Sequence, residues 1–404
     1  MRAFVFTDKS LSRQAGRFVW LEIDTEKPEN APFRKQFPLQ ALPTFFVVDP
    51  TTEKVALRWV GGATIPQLEG ILEAGRKAVA ASNARSSGGG VTREEGRGLP
   101  AGGADQALAR ADRLYGEGDN AGAAKAYQEA LALAPAVWAT YGRAVESLLF
   151  ALQRIEDYES GAKLARDAFP KLVRTASAAN VAASGLDCAL ELAVENTQRQ
   201  ELVAALEADA CQVVGDAAIP VAADDRSAVF ASLVQARKDA EDDLGAKEVA
   251  AGWAAFLESE AARAETAERR TVFDSHRLSA YLELGEPERA IPMLEASERD
   301  LPDDYNPPAR LATTYKALKR WDEALAASDR ALAKVYGPRQ IGLLQTRSDI
   351  HVGRGDTAAA RSTLEDALRV AEALPPGQKS EAAIAGLKKK IAALVPAATV
   401  NPGG

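Results

Sequence analysis

Cysteine is nearly missing from this chain: Cys188 and Cys211 are the only two in 404 residues. That excludes a disulfide framework. Histidine is as scarce. His276 and His351 each lack a second His or Cys at ligand spacing, so no zinc site is expected. No apolar run approaches the ~20 residues of a membrane-spanning helix, and no basic stretch followed by an apolar core marks a signal peptide. Without a targeting signal the compartment stays open: cytoplasmic by default, periplasmic if a leader stood upstream. Aromatics make up only 6% while alanine is abundant, which favours close-packed helices over a sandwich or barrel.

Positive charge is also short. The net charge is −8, and the one basic run, Lys388-Lys389-Lys390, reads as the solvated outer side of a last helix. Nucleic acid and anionic membrane surfaces are therefore poor candidates for the main partner. Asp224-Asp225, Asp242-Asp243 and Asp303-Asp304 lack the alternating acidic loop of a calcium hand, and no Gly-x-Ser-x-Gly elbow occurs. No catalytic residue, metal or cofactor is assigned. What remains is an ordinary globular composition, 47% hydrophobic and 26% charged, in a chain long enough for two or three domains.

Between Phe18 and Pro50 an apolar run, Phe18 to Asp24, is followed by a polar segment and a second run, Phe45 to Asp49. Strand, helix, strand is the pattern of a parallel βαβ unit, and Pro43 stands directly before the second strand. Val55 to Gly61 reads as a following antiparallel strand and Ile65 to Val79 as a helix, with Pro66 in its first turn. Trp20, Trp59 and Phe45 are expected in the core.

This stretch resembles the thioredoxin-like fold over roughly residues 1–80: Ile23-Asp24 as a strand end, Pro43-Thr44 as the cis-Pro loop, Phe45 to Val48 as the next strand. The resemblance implies that Leu42, Pro43 and Thr44 offer backbone to an extended peptide by strand addition. The family's Cys-x-x-Cys is not matched, since no Cys precedes Cys188. By the same resemblance, Met1 to Asp8 look like the helix just after that motif, and the missing pair falls upstream of Met1. The domain is then a non-catalytic remnant, poorly folded alone, or the chain is a fragment or mis-started form of a thiol–disulfide oxidoreductase.

Residues 81–104 are Gly/Ser-rich, centred on Gly88-Gly89-Gly90, and read as a flexible linker. From Asp105 the period changes to three and four. A helix from Asp105 to Tyr115, a turn at Gly116 to Asn120 and a helix from Ala121 to Ala134 end at Pro135. Ala123, Tyr127, Ala130 and Pro135 set a spacing that recurs in Gly285, Ala290, Leu294, Ser297, Pro302; in Tyr315, Trp321, Ala324, Ser328, Ala331; and in Gly355, Ala360, Leu364, Ala367. Ala290 to Ala324 is 34 residues and Ala324 to Ala360 is 36.

These spacings resemble the tetratricopeptide repeat. The expected fold is mainly α: a tetratricopeptide-type α-solenoid over 105–395, C-terminal to a small incomplete α/β thioredoxin-like domain, with degenerate repeats from Trp138 to Arg270 and a disordered tail, 396–404. The resemblance implies a protein or peptide partner in a concave face. Some members grip a C-terminal carboxylate with Lys and Asn. The matching positions here, Leu108, Asp112, Ser275, Ser279, Ala309, Thr313, Gln345 and Asp349, carry neither. The main expectation is a protein–protein interaction protein; a holdase using the same face is a weaker one. If Cys188 and Cys211 sit on antiparallel helices turning at Asn196, they lie 8 residues before and 15 after the turn. That offset, about 10 Å at 1.5 Å per residue, is too long for a disulfide, so two buried unpaired thiols are expected.

Overall fold

The computed structural model describes residues 5–39, 42–87, 103–375 and 377–394. The triple glycine of the linker and the tail from residue 396 lie outside the described residues. The chain forms two compact units, Met1–Trp20 with Arg34–Val249 and Leu21–Phe33 with Ala250–Gly404. It is mainly α, with two short strands among the described residues.

In the first unit β1 (Thr44–Val48) and β2 (Val55–Val60) form an antiparallel hairpin, Thr44 opposite Val60 and Val47 opposite Leu57. Both strands are rich in β-branched and aromatic residues, which suit a pleated surface. Asp49 builds the turn: its carboxylate accepts from the Thr51 N–H at 2.9 Å and the Thr52 hydroxyl at 3.0 Å. The Leu42–Pro43 peptide bond before β1 is cis. After a short α1 (Ala31–Gln36), the helix α2 (Ile65–Ser87) covers the hairpin through Leu68, Ile71 and Leu72. Gly75 allows this approach, because a Cβ there would sit 2.6 Å from a methyl of Val47.

Two expectations fail here. Phe18 to Asp24 is not a strand, and no parallel βαβ unit forms among the described residues. A strand needs a ladder partner for its N–H and C=O groups, and β1 has only β2. Val19 and Leu21 are accordingly solvent-exposed, and Trp20, expected in the core, is 48% exposed. Trp59 and Phe45 do pack against the hairpin core. α2 also continues past Val79 into the residues read as linker, since Ala80 to Ser87 contain no Gly or Pro to stop it.

Helix pairs follow. The first unit holds α3 (Gly103–Glu117), α4 (Asn120–Ala132), α5 (Tyr141–Arg154), α6 (Tyr158–Leu172), α7 (Ala178–Leu190), α8 (Arg199–Gly215) and α9 (Ala223–Asp239), and α10 (Asp243–Arg263) passes from one unit to the next. The second unit continues with α11 (Ala267–Thr271), α12 (Asp274–Leu284), α13 (Ala290–Asp300), α14 (Asn306–Ala317), α15 (Trp321–Leu332), α16 (Arg339–Arg354), α17 (Thr357–Ala373) and α18 (Glu381–Ala393). Successive helices pack on each other, α3 on α4, α5 on α6, α7 on α8, α14 on α15 and α16 on α17. Ala123, Ala130, Ala290, Ala324, Ala331, Ala360 and Ala367 have no exposed surface, and Tyr127, Leu294 and Leu364 are buried beside them. Tyr315 is buried as well, whereas Pro135 and Pro302 lie exposed just beyond α4 and α13. Alanine at the contact brings two helix backbones close without cost in side-chain entropy.

One turn recurs inside the pairs. A residue one or two positions after the first helix takes positive φ at Gly118, Glu156, Glu241, Gly285, Lys319 and Gly355. The next N–H then donates back to the helix: Asp119 to Leu114 O, Asp157 to Leu152 O, Asp242 to Arg237 O, Glu286 to Tyr281 O, Arg320 to Tyr315 O and Asp356 to His351 O, all at 2.8–3.0 Å. This is the Schellman closure of a helix C-terminus. In four turns the same residue, Asp119, Asp157, Asp242 or Asp356, caps the second helix with its carboxylate. Asp356→Ala is expected to cost about 1 kcal/mol, read as faster hydrogen exchange in the first turn of α17. Unchanged exchange there would show that the cap is redundant.

Candidate peptide-binding surfaces

Buried polar groups concentrate where the hairpin meets the first helix pair. Arg143 of α5 donates to Asp112 of α3 at 2.6 Å, and the Tyr127 hydroxyl of α4 donates to the other oxygen at 2.8 Å. The Arg143 guanidinium lies 4.0 Å from the centre of the Trp59 ring on β2, a cation–π contact. Burial first, then the Asp112 charge, raises the Tyr127 hydroxyl far above its ordinary range. By the tetratricopeptide resemblance Asp112 is a groove position and would face a ligand. It is instead only 6% exposed and serves as the counter-ion of Arg143. Leu108 is buried with it.

A second group lies on α5, α7 and α9, which pack side by side in the first unit. Glu146 of α5 is raised by burial, opposed by Ser177 and Arg143. Asp225, in the first turn of α9, is pushed up to about 7 by burial, then by the charges of Asp224 and Glu146. Asp187 of α7 is raised by desolvation and by Glu191, and Ser232 of α9 opposes this. Phe150 stands one turn after Glu146 on the same helix face and is 40% exposed. This wall combines negative charge that is only partly neutralised with an accessible aromatic ring.

The other sequence candidates are placed separately. Leu42 of the cis-Pro loop is 60% exposed, and the Pro43 carbonyl accepts from the Gly61 N–H at 2.9 Å, which ties the loop to the end of β2. Thr44 opens β1. Cys188 is buried and free, its thiol pushed up to about 12 mainly by burial. Cys211 is free but exposed, contrary to the expected buried thiol, because its position on α8 faces away from the buried set Leu202, Leu206, Ala210 and Val213. Asp349 pairs with Lys316 at 3.3 Å, Lys388 with Glu372 at 3.1 Å, and Lys390 donates to Gln345.

The chain is similar to solved tetratricopeptide repeat proteins. One from Parabacteroides merdae is 11% identical, with a TM-score of 0.46 over 72% of this chain and 100% of the other. One from Thermus thermophilus is 13% identical, with a TM-score of 0.26 over 72% and 98%. The TPR2AB domain of yeast Sti1, in its complex with pHSP90, is 15% identical, with a TM-score of 0.26 over 72% and 98%. No family model and no curated protein matches the sequence. The tetratricopeptide-type fold is carried by the molecule's own helix pairs, their alanine contacts and the repeated turn. Among the described residues no helix is long and apolar enough to cross a membrane.

Proposed function

We propose that this chain is a protein-interaction scaffold whose helical repeats hold an extended segment of a partner, and that the α5–α7–α9 wall takes one of cationic and apolar character. The observation that carries this is Asp225, pushed up to about 7 by burial and then by the charges of Asp224 and of Glu146 on another helix. A lysine or arginine placed between them would relieve that repulsion and let both ionise. Phe150 would receive the apolar part. Helix pairs do not commonly perform chemistry; they present surfaces.

The residues before α3 fit a non-catalytic thioredoxin-like remnant: a loop with cis Leu42–Pro43, an antiparallel hairpin and a closing helix support that reading. Leu42, Pro43 and Thr44 would then be a lesser peptide platform. Cys188 supplies no reactive thiol to this account: it is buried and pushed up to about 12, and thus a poor nucleophile at neutral pH.

The test is binding of a labelled Lys/Leu decapeptide to the full chain, against a Glu/Leu decapeptide, at two salt concentrations. The cationic probe is expected to bind preferentially, with about tenfold loss in the double variant Glu146→Gln, Asp225→Asn. Affinity should also fall as pH drops below about 7, where Asp225 takes up its proton. Equal binding of both probes, or no effect of the double variant, would exclude this wall as the site.

A further inference from the structure

The apolar run that fails to become a strand leads into a segment with a different role. Leu21–Phe33 belongs to the second compact unit, and its acidic turn lies against the loops that precede α14, α16 and α18. The Tyr336 hydroxyl donates to Asp24. Arg339 Nε donates to both oxygens of Glu26, at 2.9 and 2.8 Å. Gln378 Nε2 donates to the Thr25 carbonyl at 2.9 Å. Lys27 Nζ stands 5.8 Å from the centre of the Tyr336 ring. Tyr305 completes the notch by accepting from Arg339 Nη1 at 3.1 Å, which fixes the guanidinium toward Glu26. Gly337 leaves room for the turn: a Cβ there would lie 3.3 Å from Glu26 Cβ.

The turn is also shaped from within. Asp24 accepts from the Glu26 N–H at 2.9 Å, and the Asn30 side chain donates to the Asp24 carbonyl at 2.7 Å. This is an Asx turn, which presents two acidic side chains from one short loop. The electrostatics agree with the geometry. The Tyr336 hydroxyl is pushed up to about 12, chiefly by its bond to Asp24. Asp24 is held below the usual carboxylate range: its burial acts upward, and the Tyr336 bond, the Glu26 N–H and the charges of Lys27 and Arg339 outweigh it.

We infer that the Tyr305–Tyr336–Arg339–Gln378 notch is a recognition site for an acidic Asp-x-Glu segment, filled in this chain by its own residues Asp24 to Glu26. The partner is an acidic segment of another polypeptide, which binds when the internal turn is released. Two features make release accessible. No residue from Leu21 to Phe33 is buried, and Leu21 itself is 75% exposed, so polar contacts hold the turn rather than apolar area. Such contacts in partly exposed positions are individually weak. The internal segment nevertheless competes strongly, because covalent connection gives it an effective concentration on the order of mM. An external ligand of equal intrinsic affinity is therefore masked in the resting chain. This inference concerns a different unit, and an opposite ligand charge, from the α5–α7–α9 wall, so either can fail alone.

The probe is a fluorescein-labelled peptide with the sequence of residues 21–30, LEIDTEKPEN, added to the full chain. Asp24→Ala, Glu26→Ala is expected to bind it about tenfold or more tighter than the wild-type chain. Adding Arg339→Ala should remove that gain. Equal affinity of the double variant and wild type, or binding indifferent to Arg339, would overturn the assignment. Hydrogen exchange in the otherwise unaltered chain supplies a second readout. Arg339→Ala should accelerate exchange of the amides of residues 21–30 while α14 to α17 stay protected. Unchanged exchange in that segment would show that the notch does not hold it.

Discussion

Replacing Asp112 by alanine is expected to lower the stability of the first unit by about 3–5 kcal/mol, the cost of leaving a buried charge without its partner. Arg143 would lose the carboxylate to which it is hydrogen-bonded, and its Nε already lacks a hydrogen-bond partner. The guanidinium is only 7% exposed in the unaltered chain, and it would keep its contact with the face of Trp59. Tyr127 would lose the acceptor of its hydroxyl at the same time. A chain of two compact units need not unfold in one step. The loss should therefore be read as the shift of the first-unit transition in urea, together with hydrogen exchange of α3 to α5. The companion variant is Asp112→Leu, Arg143→Met, Tyr127→Phe, which removes the network instead of breaking it. Replacing a buried ion pair by apolar groups of similar volume is often neutral or stabilising, so this variant should recover most of the stability. If Asp112→Ala shifts the transition by less than about 1 kcal/mol, the value of a surface pair, then water reaches the network and Asp112 is open to ligands after all.

That network also marks the limit of what the chain discloses before folding. The helix pairs are legible because their signal is local: alanines spaced by three and four residues, with a turn in every pair. Half of the turns announce themselves with glycine at Gly118, Gly285 and Gly355. The other half place Glu156, Glu241 and Lys319 in the left-handed region, where an ordinary side chain carries no visible mark. The aspartate that follows marks two of these three, Asp157 and Asp242, since it closes one helix and caps the next, whereas Lys319 is followed by Arg320. Asp112 is different. Its partner Arg143 is 31 residues away, and the Trp59 that covers them comes from β2, so nothing near Asp112 in sequence distinguishes a core carboxylate from a groove carboxylate. Phe18 to Asp24 fails for a related reason. Apolar, β-prone composition states only that a segment can enter a sheet, whereas entry depends on an unpaired neighbour elsewhere. The same segment's Asp24 and Glu26 find their partners at Tyr336 and Arg339, more than three hundred residues on, and no spacing rule spans that distance.

Asp274→Asn is expected to act in the opposite direction and stabilise the second unit by about 1–3 kcal/mol near neutral pH, the penalty of a buried polar group left unsatisfied. Asp274 opens α12 with no exposed surface; Ser297 pulls on its carboxylate, but neither oxygen has a hydrogen bond of good geometry. Burial raises its carboxyl above the ordinary range, against the opposing pull of Ser297, Arg310, Arg277 and Arg270. The folded state therefore binds the proton more tightly than the unfolded chain does. Its contribution is most favourable below the unfolded carboxylate value and is lost as pH rises through the raised folded one. The asparagine carries no charge at any pH, so its advantage should be largest at about pH 7 and close to nil near pH 4, about the value of an unperturbed aspartate. Ser297, which is fully buried with its own hydroxyl unpaired, offers the new amide a partner. Urea midpoints of the two chains at both pH values decide the matter. If the asparagine chain is the less stable at neutral pH, Asp274 is ionised in the folded state and the three arginines outweigh its burial. The unit would then hold a buried charge cluster where the proposed account places a protonated carboxyl.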